Sequence, residues 1–142
     1  MQPALFDTSF YISALRAANH AAAALRRIAP DAPLWLSSVV LQELYAGAGD
    51  RESRVVQRLE RDFDRIRRIA VPNLGDWTES GRVLARLAAK YDYETIGRAR
   101  LSNDALIAVS AGRIGIRVLT VNERDFRRLA EFSSFRWERI AV

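Results

Sequence analysis

Ala4-Leu5-Phe6-Asp7-Thr8-Ser9 is the stretch on which the reading of this chain turns. Three apolar residues run straight into an acid and two hydroxyls. A short strand buried in a parallel sheet reads this way where it gives out into a loop. From Ser9 the pattern is helical through Leu15, and Ala21 to Ile28 continue it up to Pro30. Asp31-Ala32-Pro33 reads as a turn and Leu34-Trp35-Leu36 as a second strand. Ser37 or Ser38 is then placed to cap an apolar helix that Gly47 and Gly49 end.

The same alternation continues. Val55, Val56, Leu59, Phe63 and Ile66 recur at helical spacing within Glu52–Ile66, with charges on the opposite face. Ile69-Ala70-Val71 is a short strand closed by Pro72, and Asp76 to Tyr91 a helix burying Val83, Leu84 and Leu87. Asp92 to Arg100 is the least regular segment. Asp104 opens a helix that is apolar nearly all round and is terminated by Gly112 and Gly115. Ile116–Val121 reads as a strand, Asp125–Ala130 as a short helix and Phe135–Val142 as a final edge strand. Strands alternating with helices predict an α/β fold with a mostly parallel sheet between helical layers.

A chain of 142 residues without repeats or a long linker is read as one domain, 1–142. No window approaches the roughly 20 apolar residues of a membrane span. Asp7 interrupts the first apolar stretch and no basic region precedes it, which argues against a signal peptide. With no cysteine, disulfides and thiolate metal sites are excluded, in keeping with a cytoplasmic protein. The net charge is +5, and Lys90 is the only lysine. Arginine pairs bidentately with phosphate, so a polyanionic partner is one reading of this surplus, and genomic base composition is the other.

Acids recur in apolar settings: Asp7, Glu43 within Val39–Tyr45, Asp104 before Ala105-Leu106-Ile107-Ala108, and Asn122 with Asp125 after Leu119-Thr120-Val121. An isolated carboxylate beside buried apolar residues is costly. Several of them suggest convergence, and a divalent cation is the usual compensation. Asp7 and Thr120–Asn122 lie at strand ends, where α/β sheets bind ligands, and Asp104 lies at a helix start, where the macrodipole favours an anion. Glu43 shares a face with Val39 and with Gly47, whose small size allows close approach. Oxygen ligands of this kind suit Mg²⁺ or Mn²⁺. Each acid also has a structural reading: an Asx-turn for Asp7, a salt bridge for Glu43, a helix-start acid beside Ser102 for Asp104. For Asn122 and Asp125, turn and cap roles weigh at least as much as ligation.

With Phe6-Asp7-Thr8-Ser9, Leu41-Gln42-Glu43-Leu44-Tyr45-Ala46-Gly47, Asn103-Asp104-Ala105-Leu106-Ile107-Ala108 and Leu119 to Phe126 in this order, the chain resembles the PIN-domain ribonucleases, most closely the VapC-type toxins of toxin–antitoxin pairs. The resemblance covers almost the whole chain. It implies an α/β/α sandwich and a metal-dependent endoribonuclease, in which Asp7, Glu43 and Asp104 match the acids that hold Mg²⁺ or Mn²⁺. The family's fourth acid falls at Asn122, a neutral ligand, with Asp125 available to restore the charge. Ser9 and Thr120 match hydroxyls that orient ligands or water. The resemblance also implies an RNA substrate, a homodimer and a VapB-like antitoxin.

Hydrolysis of a phosphodiester by a metal-activated water is the mechanism expected. His20, the single histidine, sits among alanines and is read as a surface residue, which excludes a histidine-pair ribonuclease. Ser9 stands where a haloacid-dehalogenase-like enzyme needs a second Asp, and no receiver-type acidic pair or P-loop is present. The other reading is a weakly active or inactive PIN-like module that binds RNA or protein, which Asn122 keeps open. Arg98 and Arg100 are the expected phosphate contacts, with Tyr11, Tyr45 and Tyr93 as candidate base-stacking side chains. Any part of the Glu52–Ile66 and Asp76–Tyr91 stripes left exposed is expected to be a partner surface.

Overall fold

A computed structural model of the chain describes residues 2–18, 29–92 and 98–141. Its elements are β1 (Ala4–Phe6), α1 (Thr8–Ala18), β2 (Leu34–Ser37), α2 (Ser38–Ala46), α3 (Asp50–Arg65), β3 (Ile69–Ala70), α4 (Leu74–Tyr91), α5 (Arg98–Ile114), β4 (Arg117–Thr120), α6 (Glu123–Leu129) and β5 (Trp137–Arg139). The sheet runs β3-β2-β1-β4-β5 with every pairing parallel, as the alternation of strands and helices predicts. The chain steps outward from β1 to β3, then returns to place β4 on the other side of β1. Right-handed crossovers running in opposite directions put helices on both faces, and the reversal leaves a crevice at the carboxyl ends of β1 and β4.

Ala4, Leu5 and Phe6 are fully buried, and Phe6 stacks on Phe10 with centroids 4.1 Å apart. Burying a side chain of this size contributes about 1.5–3 kcal/mol, so the central strand is fixed in register by its own apolar residues. Ser37 caps α2 through its hydroxyl, which accepts from the Val39 amide at 3.2 Å. Asn73 and Asp76 form a reciprocal capping box at the start of α4.

Several sequence expectations are corrected. The helix carrying Asp104 begins at Arg98, about 1.7 turns earlier. Asp104 therefore has no helix-start stabilisation, and Ser102 does not cap. Gly112 lies inside that helix; a Cβ there would come within 2.5 Å of the Ser134 carbonyl, so its role is close packing rather than termination. Gly115, at φ +83°, is the residue that ends it. A Cβ at Gly47 would meet only the Glu43 carbonyl at an ordinary 3.7 Å, so no close approach is made there. Ile66, read as part of the apolar stripe, is exposed, as are Val71, Leu74 and Trp77, with Leu74 79% and Trp77 59% accessible. The Ala21–Ile28 expectation and His20 fall outside the described residues. No helix among the described residues is long and apolar enough to cross a membrane.

Candidate metal-binding cleft

The crevice holds a cleft of about 520 Å³ whose walls include Asp7, Glu43, Asp104 and Asn122, contributed by four separate segments. Asp7 follows β1 directly. Its backbone amide donates to the Leu119 carbonyl at 3.1 Å, tying the strand end to β4. Its carboxylate accepts from the Ser9 hydroxyl (2.7 Å) and the Phe10 amide (3.4 Å) on Oδ1, and from the Thr120 hydroxyl (2.6 Å) on Oδ2. Asp7 thus does cap α1, as its turn reading expects, while both hydroxyls singled out in the sequence orient it.

Burial raises the Asp7 pKa above the ordinary carboxylate value; the Thr120, Ser9 and Phe10 donors oppose this, and the nearby Glu43 adds to it. Glu43 projects from α2, whose Val39, Val40, Leu41 and Leu44 are buried. Its Oε1 accepts from the Thr8 hydroxyl at 2.5 Å. Asp104, 8% exposed, is buried at the end of the second turn of α5.

Asn122 caps α6: its Oδ1 accepts from the Asp125 amide at 3.4 Å, and its Nδ2 donates to Asp125 Oδ2 at 2.8 Å. Its own amide donates to the Thr120 hydroxyl at 2.9 Å, linking the cap to the Asp7 cluster. Asp125 is buried and also lies 3.4 Å from Arg124 Nε. It is not among the residues lining the cleft.

Among the described residues no three acidic or histidine side chains form a ready-made ligand group. The donor chemistry nevertheless suits a hard cation: carboxylates, an amide and hydroxyls face one cleft, and its most buried carboxylate is opposed by another acid. Thr8, Ile12, Ser13 and Val121 also line the cleft. Sequence reasoning missed Thr8 as a partner of Glu43, because 35 residues separate them. Tyr11 is fully buried and so cannot stack on a base, and the Tyr45 hydroxyl donates to Glu60 at 2.6 Å. Arg98 and Arg100 have side chains outside the described residues, as is Tyr93. Lys90 pairs with Glu131.

The fold is shared with solved structures. A chain of DNA-bound VapBC from Salmonella typhimurium superposes with a TM-score of 0.69 at 23% identity, covering 98% of each chain. VapBC2 from Rickettsia felis, bound to a promoter DNA fragment, gives 0.67 at 21% identity over 96% of this chain and 98% of that one. FitAB bound to the IR36 DNA fragment gives 0.62 at 19%, over 95% and 93%. Comparison with curated proteins finds no significant match. The sequence profile of the PIN domain matches residues 4–132. The chain belongs to the PIN domain family. PIN domains are generally nucleases, and in this PIN domain the matched span contains β1, the cleft acids and Asn122.

Proposed function

We propose that this PIN domain, read as one domain over 1–142, is a metal-dependent endoribonuclease acting in the cytoplasm as the toxin of a VapBC-type pair. The observation that carries the reading is the convergence of Asp7, Glu43 and Asp104 on one cleft at the sheet's switch point. These three would hold Mg²⁺ or Mn²⁺, with Asn122 as a neutral ligand and Asp125 acting on the site through Asn122. The bound ion supplies Lewis-acid polarisation of the phosphate and lowers the pKa of the attacking water. Ser9 and Thr120 fix the Asp7 carboxylate, Thr8 holds Glu43, and hydrolysis breaks the RNA phosphodiester in line with the attack. A VapB-like antitoxin and a second copy of the chain are the proposed partners. The exposed Val71, Leu74 and Trp77 supply apolar surface for such contacts.

Asn122 supports the second reading, a weak or inactive RNA- or protein-binding module, because its amide is engaged in capping α6. Cleavage of a mixed RNA panel by purified protein with Mg²⁺ or Mn²⁺, against chelator and Asp104→Asn controls, separates the two. Cutting that requires metal and is lost in the variant supports the nuclease. A folded, antitoxin-free protein that cuts nothing with either metal sinks it.

A further inference from the structure

Beside the cleft, α6 opens a second recess of about 580 Å³, lined by Tyr91, Arg124, Arg127 and Arg128 with Glu123 and Glu131. Its two glutamates are already occupied. Glu123 pairs with Arg127 and, at 3.7 Å, with Arg139, while Glu131 takes Lys90 and the Tyr91 hydroxyl. Arg128 is half-buried and lies over the Tyr91 ring, 4.6 Å from its centroid. A stacked guanidinium keeps its planar fork pre-organised, the form suited to bidentate phosphate contact. Arg124 stands 67% exposed at the same rim. Asn122 lines the acidic cleft, and Glu123 and Arg124, the next residues along, line the basic recess. The two walls therefore meet at the turn between β4 and α6.

We infer that this recess binds a backbone phosphate of the same single-stranded RNA whose scissile phosphate occupies the acidic cleft, through Arg124 and Arg128, with Tyr91 as the positioning residue for Arg128. The inference rests on the proposed nuclease reading for the identity of the ligand. An acidic cleft repels the strand on either side of the cut, and a basic recess next to it offsets that repulsion. Tyr91 and Arg128 lie on different helices, so nothing in their spacing along the chain signals the pairing.

The test is fluorescence anisotropy of a labelled single-stranded RNA of about 10 nucleotides, bound to Asp104→Asn protein over a range of salt. Arg124→Ala and Arg128→Ala, each added to that background, are expected to weaken binding about tenfold and to reduce the salt slope by about 0.7. Tyr91→Ala is expected to weaken binding with the slope retained, whereas Tyr91→Phe binds as the parent does. Thermal melts confirm that each variant is folded. Unchanged affinity and slope in both arginine variants overturn the inference, whether or not the wild type cuts RNA in a metal-dependent way. Arginine-dependent RNA binding by a protein that never cuts leaves the recess standing and removes the nuclease reading. Loss of binding to an acidic peptide, with RNA binding intact, assigns the recess to a protein partner and overturns it.

Discussion

Asp7 and Asp76 are buried to the same degree, each 2% exposed, and each caps a helix. Their surroundings differ in charge. Asp76 receives Arg113 Nε on both oxygens at 2.9 Å and Nη2 on Oδ2 at 2.8 Å, and its Oδ2 accepts the Asn73 amide. Burial pushes its pKa up, but the Arg113 hydrogen bonds, the Asn73 amide and the Arg113 charge outweigh burial and hold it low. Asp7 has hydroxyl and amide donors and an acid, Glu43, nearby; burial dominates and its pKa rises. One carboxylate brings its counter-ion in the sequence, whereas the other is arranged as though a cation were to come from outside. On the proposed reading, the difference separates Asp76, which serves the fold, from Asp7, which serves the site.

The largest expected effect is on catalysis. Asp7→Asn should lower metal-dependent RNA cleavage about 10²–10³-fold, while Asp76→Asn, if folded, should leave it near wild type; comparable losses in a cleavage time course would erase the distinction. Next comes stability. Asp76→Ala removes a cap and a charge-assisted network and should cost about 1–3 kcal/mol by chemical denaturation, the lower end applying because Arg113 is 42% exposed. That contribution is present above the unfolded pKa of about 3.9 and is lost as pH falls through the lower folded value. A deficit that stayed constant into acid would contradict the ion-pair account.

Thr120→Ala removes a donor to Asp7 without touching the acid, and should reduce cleavage about tenfold; a steady-state assay reads this directly. The smallest effect has the opposite sign. With its folded pKa raised, Asp7 stabilises the fold most below its unfolded pKa, and that stability is lost as pH rises through the folded value. Asp7→Asn should therefore raise the melting temperature modestly at neutral pH in chelator, with the gain vanishing in acid. A lower melting temperature at neutral pH would place Asp7 with Asp76.

Much of this was legible in the chain. Ala4–Phe6 ending at Asp7 signalled a buried strand, short and apolar as parallel strands are, and its central place came with the sheet order. Alternation alone predicted the parallel sheet, and the four motif blocks marked the residues that line the cleft. What stayed hidden was tertiary. The start of α5 was misplaced because Ser102 and Asn103, common cap residues, sit inside the helix, and the polar run from Arg98 resembles a loop. Gly112 was misread because its constraint comes from Ser134, across the molecule. Ile66 looks core-facing at helical spacing with Val56, Leu59 and Phe63, and only packing reveals that it points outward. The role of Asn122 as a cap was weighed from sequence, but its link through Thr120 to Asp7 needed three dimensions.

The most direct test of the contrast is a calorimetric titration of Mn²⁺ into wild type, Asp7→Asn and Asp76→Asn at neutral pH. Saturable binding in wild type and Asp76→Asn, lost in Asp7→Asn, is the predicted result. Equal binding in all three, or binding lost only with Asp76, would contradict the assignment of the cleft as the metal site.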